Sequence, residues 1–148
     1  MLANQNRVLS CLAVLGAAWT IMGILYHANT DLVVRHFIQV LPVCVAVIVI
    51  KNRSGWTSSV GVPLFLVWLA GIFTLWNSWR RMPETHSDFI FPTEEAILSG
   101  IVALSAGFGI FFATRVVSDL RLGNRLVLFG TALFLQLIVL VLGALVAL

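Results

Sequence analysis

Charged residues are scarce in this sequence. Only 10% of its 148 residues are Asp, Glu, Lys or Arg, against about 25% in a typical soluble domain. Hydrophobic residues make up 60% of the chain, and its mean hydropathy is +1.03. Because so few polar groups cannot cover a folded surface, the composition excludes an ordinary soluble domain.

Redox and catalytic signatures are lacking as well. The two cysteines, Cys11 and Cys44, lie in apolar stretches and form no C-x-x-C redox motif. The sequence has no Walker A loop, no G-x-S-x-G elbow and no pair of acids inside an apolar stretch. Since acid-driven transport usually depends on an Asp or Glu within the membrane, self-sufficient transport is disfavoured. No catalytic residue is assigned, and an enzyme is less favoured than a binding or transport protein.

Five apolar stretches account for almost the whole chain. Each is close to the ~20 residues with which an α-helix crosses ~30 Å of hydrocarbon. They predict an all-α membrane protein with one integral domain over 1–148, spans at about 8–27, 32–50, 60–79, 95–117 and 125–147, and an outer loop over 78–94. The fourth helix is expected to continue to about Leu122. Because the other connections are short, we expect a single up-down bundle.

The Lys and Arg residues predict the orientation. Cytoplasmic loops carry an excess of these residues, which favours N-in, C-out in the bacterial inner (plasma) membrane. The inside then receives six basic residues: Arg7, Lys51, Arg53, Arg115, Arg121 and Arg125. The outside receives three: Arg35, Arg80 and Arg81. The net charge of +3 sits at helix ends, where lipid headgroups explain it, so nucleic acid is not an expected partner.

A polar group at the start of the second span predicts a pocket. Arg35 and Gln39 are four residues apart, so they share one helical face, and His36 is three residues from Gln39. Pro42 follows, where it removes a helical hydrogen bond. A polar stripe beside a kinked helix commonly lines a membrane cavity, although snorkelling of Arg35 is the alternative. The expected pocket-lining residues are Arg35, His36, Gln39, Asn77, Arg80 and Arg81.

All three histidines fall on the predicted outer side, which raises a metal site as an alternative. Imidazoles and carboxylates are the usual ligands of divalent transition metals. The candidate ligands are His27, His36, Glu84, His86 and Asp88. No local motif such as H-E-x-x-H supports the site, and solvated interfacial histidines explain the same pattern. No other cofactor is predicted.

Small residues and one central amide predict helix contacts. Ser99, Ala103 and Gly107 repeat every four residues, and Gly16 belongs to a similar stripe in the first span. Small residues let membrane helices approach closely, within one chain or between two. Gln136 lies near the centre of the fifth span, where we expect an interhelical hydrogen bond.

Three functions remain open on the sequence alone. The first is a transporter or a subunit of a membrane complex with an outward-facing polar pocket. The second is an outer-face metal- or cofactor-binding membrane protein, including an enzyme. The third is an anion or lipid-headgroup binder centred on Arg35, Arg80 and Arg81, since guanidinium groups suit phosphate and carboxylate. The expected partners are membrane lipid and another membrane protein or a second copy.

Overall fold

The computed structural model describes residues 2–26, 30–80 and 93–145, which form five α-helices. They are α1 (Leu2–Tyr26), α2 (Thr30–Asn52), α3 (Thr57–Arg80), α4 (Thr93–Ala113) and α5 (Leu122–Leu145), with a 3₁₀ turn, Ser54–Trp56, before α3. No strand occurs in this part of the chain. All five helices are long and apolar enough to cross a membrane, which indicates an integral membrane protein.

The first helix begins earlier than the apolar pattern predicts. It starts at Leu2 rather than at residue 8. Gln5 lies in this added turn and is buried, and its side-chain amide donates to the carbonyl oxygen of Ile50 at 2.7 Å. This bond joins the start of α1 to the end of α2. The apolar pattern misses this first part of α1 because a polar residue, Gln5, stabilises it.

The fourth helix is shorter than predicted. It ends at Ala113 and does not continue to about Leu122, so that expectation is wrong. The Thr114 hydroxyl lies 3.0 Å from carbonyl oxygens of the preceding turn, and such side-chain bonds compete with helical ones. Farther on, the Ser118 hydroxyl donates to the Gly55 carbonyl at 2.7 Å. The segment between α4 and α5 therefore folds back onto the turn before α3.

The core lies where α1, α3 and α4 meet. Leu12, Phe65 and Val102 are fully buried there. The Phe65 ring lies directly against Gly109, where an added Cβ would overlap it. Glycine is thus required for the close approach of α3 and α4 at this point.

Large apolar side chains cover the outside of the bundle. Phe37, Leu104 and Phe134 are each more than half exposed. Contiguous apolar surface of this kind is a liability in water, whereas hydrocarbon solvates it. On α5, Gln136 is the only buried side chain among those described, at 2% exposed. The most lipid-exposed helix therefore buries a polar amide.

One end of the bundle collects basic residues, and we call it the basic end. The contacts of Gln5 and Ser118 bring the start of α1, the α2–α3 link and the α4–α5 link together. This end carries Arg7, Lys51, Arg53, Arg115, Arg121 and Arg125. The Arg115 guanidinium carbon lies 3.8 Å from the Phe111 ring centroid. Such cation–π contacts hold the arginines against the aromatic residues at the same end.

Candidate functional site

A cavity of about 280 Å³ lies near the start of α2 and the latter half of α3. We call it the Arg35 cavity. Its walls come from α1, α2, α3 and α5, and apolar residues form part of them. The side chains with polar atoms in its lining are Trp19, Arg35, Gln39, Trp68, Thr74 and Gln136. Ligand pockets in proteins combine such apolar walls with a few convergent polar groups.

Arg35 and Gln39 both line this cavity. They are one helical turn apart on α2, so their side chains share a face. Arg35 is half-buried and Gln39 is 6% exposed. The structure thus brings the arginine and the amide to one space.

Trp19 fixes the orientation of the Gln39 amide. The Trp19 indole N–H donates to Oε1 of Gln39 at 3.0 Å. Because an indole can only donate, its partner must be the amide oxygen. The NH₂ group of Gln39 is therefore the part of the amide left to donate to a ligand.

Trp68 also lines the cavity. Its side chain is 6% exposed, and its indole Nε1 is buried with no hydrogen-bond partner among the residues described. Its ring packs edge-on against Trp19, with the ring centroids 4.9 Å apart. A buried donor without a partner costs free energy, so an acceptor that reached it would be stabilised.

The electrostatic character of the cavity follows from these groups. Arg35 carries a positive charge, and Gln39, Trp68 and Gln136 each carry N–H donors. The described lining contains no Asp or Glu. An arrangement rich in donors and without acids suits an anionic oxygen, as in phosphate or carboxylate.

Gln136 reaches the same cavity from α5. The sequence pattern predicts it as a helix-packing residue through an interhelical hydrogen bond. It lines the Arg35 cavity and also a second, apolar cavity of about 380 Å³ farther along the same helices. Its amide therefore stands at the junction of a polar and an apolar space.

Two other predicted pocket residues, His36 and Asn77, do not line the Arg35 cavity. His36 is 6% exposed and faces α1, with its ring centroid 5.0 Å from that of Trp19. A Cβ at Gly23 would lie 2.5 Å from Cγ of His36, so the imidazole occupies space that only glycine leaves. His36 follows Arg35 by about 100° around the helix and is not in the cavity lining. Asn77 is half-buried and also outside the lining.

The remaining predicted polar ligands fall near or beyond the ends of the described segments. Arg80 is the last residue of α3. Arg81, together with the metal candidates His27, Glu84, His86 and Asp88, lies outside the described residues. Within the described ranges, no group of three or more His, Cys, Asp or Glu side chains could hold a metal ion. The metal set therefore stays a prediction from the sequence.

The predicted small-residue contacts divide into two kinds. An added Cβ at Gly16 would lie 3.4 Å from Cγ1 of Val43, so α1 and α2 approach closely there. On α4, Ser99 is fully buried and Ala103 is half-buried. Gly107 is exposed, and an added Cβ would meet nothing within 4 Å. Gly107 therefore makes no close contact with the described part of the chain, and contact with a second chain stays a prediction.

Trp19 and Trp68 are the cavity residues that sequence reasoning missed. Both lie inside their helices rather than at the ends, where membrane proteins concentrate tryptophan. An indole N–H in such a position needs an acceptor. That requirement could have predicted the pairing of Trp19 with Gln39, because Gln39 is one of few polar side chains within the apolar stretches.

No protein-family model, curated protein or solved structure matches this chain. Its function is accordingly inferred from the chemistry of the cavity.

Proposed function

We propose that this integral membrane protein binds an anionic group, a phosphate or a carboxylate, in the Arg35 cavity. The single observation that carries the proposal is the donor-rich lining without an Asp or Glu among the described residues. Arg35 supplies the charge, and the amides of Gln39 and Gln136 supply directed N–H groups. Charge-assisted hydrogen bonds of this kind are the strong ones.

A small turn of the Trp68 ring toward the cavity would also let its indole N–H donate to the bound anion. Its N–H is buried without a partner among the described residues. Hydrogen bonds are stronger in a low-dielectric interior than in water. An anion that accepts from this N–H supplies a partner that the described residues do not, which favours binding.

We further propose that the five helices alternate in direction and that the basic end faces the cytoplasm. The excess of Lys and Arg at that end supports this orientation. The Arg35 cavity then lies toward the outer side of a plasma membrane, such as the bacterial inner membrane. A ligand would reach it from the outer leaflet or the exterior.

Transport, alone or as a subunit of a complex, is the second candidate. The observation that favours it is the further cavity that shares Gln136 with the first, since two adjoining spaces provide part of a path through the membrane. Uptake of radiolabelled phosphate into proteoliposomes tests this role. Uptake above that of protein-free liposomes would support transport, and uptake equal to theirs would contradict transport by this protein alone.

The binding proposal is tested by thermal unfolding of the purified protein in neutral detergent. Glycerol 3-phosphate should raise the unfolding temperature in a saturable way, because a ligand that binds only the native state stabilises it. Glycerol, which lacks the charge, should not. Arg35→Ala should abolish the effect, and Arg35→Lys should restore it only in part, because an ammonium lacks the planar fork of donors.

The matched control is Arg121→Ala, which removes an exposed arginine at the basic end. It should leave the glycerol 3-phosphate response unchanged. An equal response in wild type and Arg35→Ala would contradict the proposed site.

A further inference from the structure

The second cavity is an apolar seam between α2, α3 and α5. It has a volume of about 380 Å³. Its wall is made almost wholly of aliphatic side chains, and it also includes Trp56, Thr131 and Gln136. We call it the apolar seam, and define it by Pro42, Val45, Leu64, Leu128, Leu135 and Val139.

The apolar seam continues the Arg35 cavity along the same helix faces. On α2, Arg35 and Gln39 line the cavity and Pro42 lines the seam. These positions follow the three- and four-residue spacing of one helical face. On α5, Gln136 lines both spaces. The two spaces thus lie next to each other along the same helices, one charged and rich in donors and the other apolar.

From this juxtaposition we infer that the ligand is an anionic membrane lipid, an inference that rests on the proposed anion-binding function. The lipid phosphate lies at Arg35, and one acyl chain lies in the apolar seam. Gln136 stands where the headgroup gives way to the chain, and its NH₂ donates to an ester carbonyl oxygen. This hydrogen bond to the lipid would explain why a polar residue, Gln136, occurs on an otherwise apolar helix.

The exposure of the seam favours a ligand that arrives from the bilayer. Leu41, Val45 and Leu135 all line the seam, and each is more than half exposed on the outer surface of the bundle. An acyl chain can therefore enter sideways from the surrounding lipid. A small water-soluble anion would gain nothing from such an opening.

The dimensions also favour an acyl chain over a helix. From Leu41 to Val49 the seam follows α2 for about 12 Å at ~1.5 Å per residue. One leaflet of the hydrocarbon core is about 15 Å thick, so the seam matches the chain of a lipid in one leaflet. A transmembrane helix is about 10–12 Å across, too wide for several of its turns to fit within the seam's 380 Å³.

Native mass spectrometry of the protein released from neutral detergent tests the inference. The probes are dioleoyl phosphatidylglycerol, dioleoyl phosphatidylcholine and glycerol 3-phosphate. Both lipids present a phosphate to Arg35, but the choline of phosphatidylcholine adds a positive charge that repels the guanidinium. Wild type should therefore retain phosphatidylglycerol over phosphatidylcholine by about tenfold. Arg35→Ala should lose this preference and lose glycerol 3-phosphate binding.

Val139→Trp fills the seam next to Gln136 and separates the inference from the proposed function. It should lower phosphatidylglycerol retention by about tenfold and leave glycerol 3-phosphate binding unchanged. Val141→Trp is the matched control, because Val141 is exposed on the same helix and outside the seam. If Val139→Trp does not fold, Leu135→Trp replaces it, with Leu137→Trp as its control.

The outcomes distinguish the two claims. If glycerol 3-phosphate binds through Arg35 but Val139→Trp retains phosphatidylglycerol as wild type does, the lipid inference is overturned and the proposed function stands. If no probe depends on Arg35, both fail. Loss of phosphatidylglycerol retention in the seam variant, with retention unchanged in its control and glycerol 3-phosphate binding unchanged in both, supports the inference.

Discussion

The indole N–H of Trp19 donates to Oε1 of Gln39 at 3.0 Å, linking α1 to α2 beside the Arg35 cavity. This bond sets which half of the Gln39 amide remains for a ligand. The Trp19 ring also packs on Trp68 and His36, with centroid separations of 4.9 and 5.0 Å. Trp19 of α1 therefore contacts residues of both α2 and α3 that line the Arg35 cavity.

A double-mutant cycle on Trp19 and Gln39 should show energetic coupling. Trp19→Phe and Gln39→Leu each leave one buried hydrogen-bonding partner unpaired, and the double variant removes both. We expect a coupling of about 0.6–1.7 kcal/mol, the range for hydrogen bonds between membrane helices. Reversible unfolding in mixed micelles supplies the four free energies of unfolding. If the changes in unfolding free energy of the two single variants add up to that of the double variant, the bond does not contribute to stability.

Two glycines on α4 should respond oppositely to the same substitution. Gly109→Ala places a Cβ into the Phe65 ring and should destabilise the protein by about 1–3 kcal/mol, the usual cost of overpacking. Gly107→Ala meets open space among the described residues and should stabilise the protein by up to about 1 kcal/mol, because alanine favours the helix. Unfolding midpoints measure both. Equal effects would contradict the packing of α3 on α4.

Two tryptophans on α3 should separate binding from stability. Trp68→Phe removes an N–H without a partner among the described residues, so it should weaken glycerol 3-phosphate binding by about tenfold. Trp76→Phe removes an N–H that donates to Ser99 Oγ at 3.1 Å, so it should lower stability and leave binding unchanged. Titration calorimetry and thermal unfolding measure the two quantities. Unchanged binding in Trp68→Phe would remove that indole from the site.

Single cysteines should report the orientation. In a background without Cys11 and Cys44, Ser87→Cys should react in intact cells with a membrane-impermeant maleimide, and Asn52→Cys should not. Position 52 is exposed at the basic end, and position 87 lies in the predicted outer loop, outside the described residues. Preferential labelling at position 52 would reverse the proposed topology.

Hydropathy predicts the membrane class and the number of helices well because the cost of exposing an unpaired backbone to hydrocarbon leaves few alternatives. Helix ends are set by individual hydrogen bonds instead. Gln5 extends α1, and Thr114 and Ser118 accompany the end of α4, through contacts that no apolar pattern encodes. These are the places where the predicted bounds fail.

The spacing of residues along one helix predicts part of the cavity lining, whereas the contributions of other helices cannot be predicted from the sequence. The four-residue interval between Arg35 and Gln39 places both on one face, and the structure brings both to the cavity. Trp68 and Gln136 join them from α3 and α5, which only the assembled bundle reveals. His36 lies one residue from Arg35, yet that step turns it toward α1 and Gly23.

The central claim is that the Arg35 cavity binds an anionic oxygen. The most direct measurement is a crystal structure of the protein soaked in selenate, a tetrahedral oxyanion whose selenium scatters anomalously. We predict an anomalous peak in the cavity, with selenate oxygens within about 3 Å of the Arg35 guanidinium and of Gln39 Nε2. An empty cavity under conditions in which selenate binds at the basic end would contradict the claim.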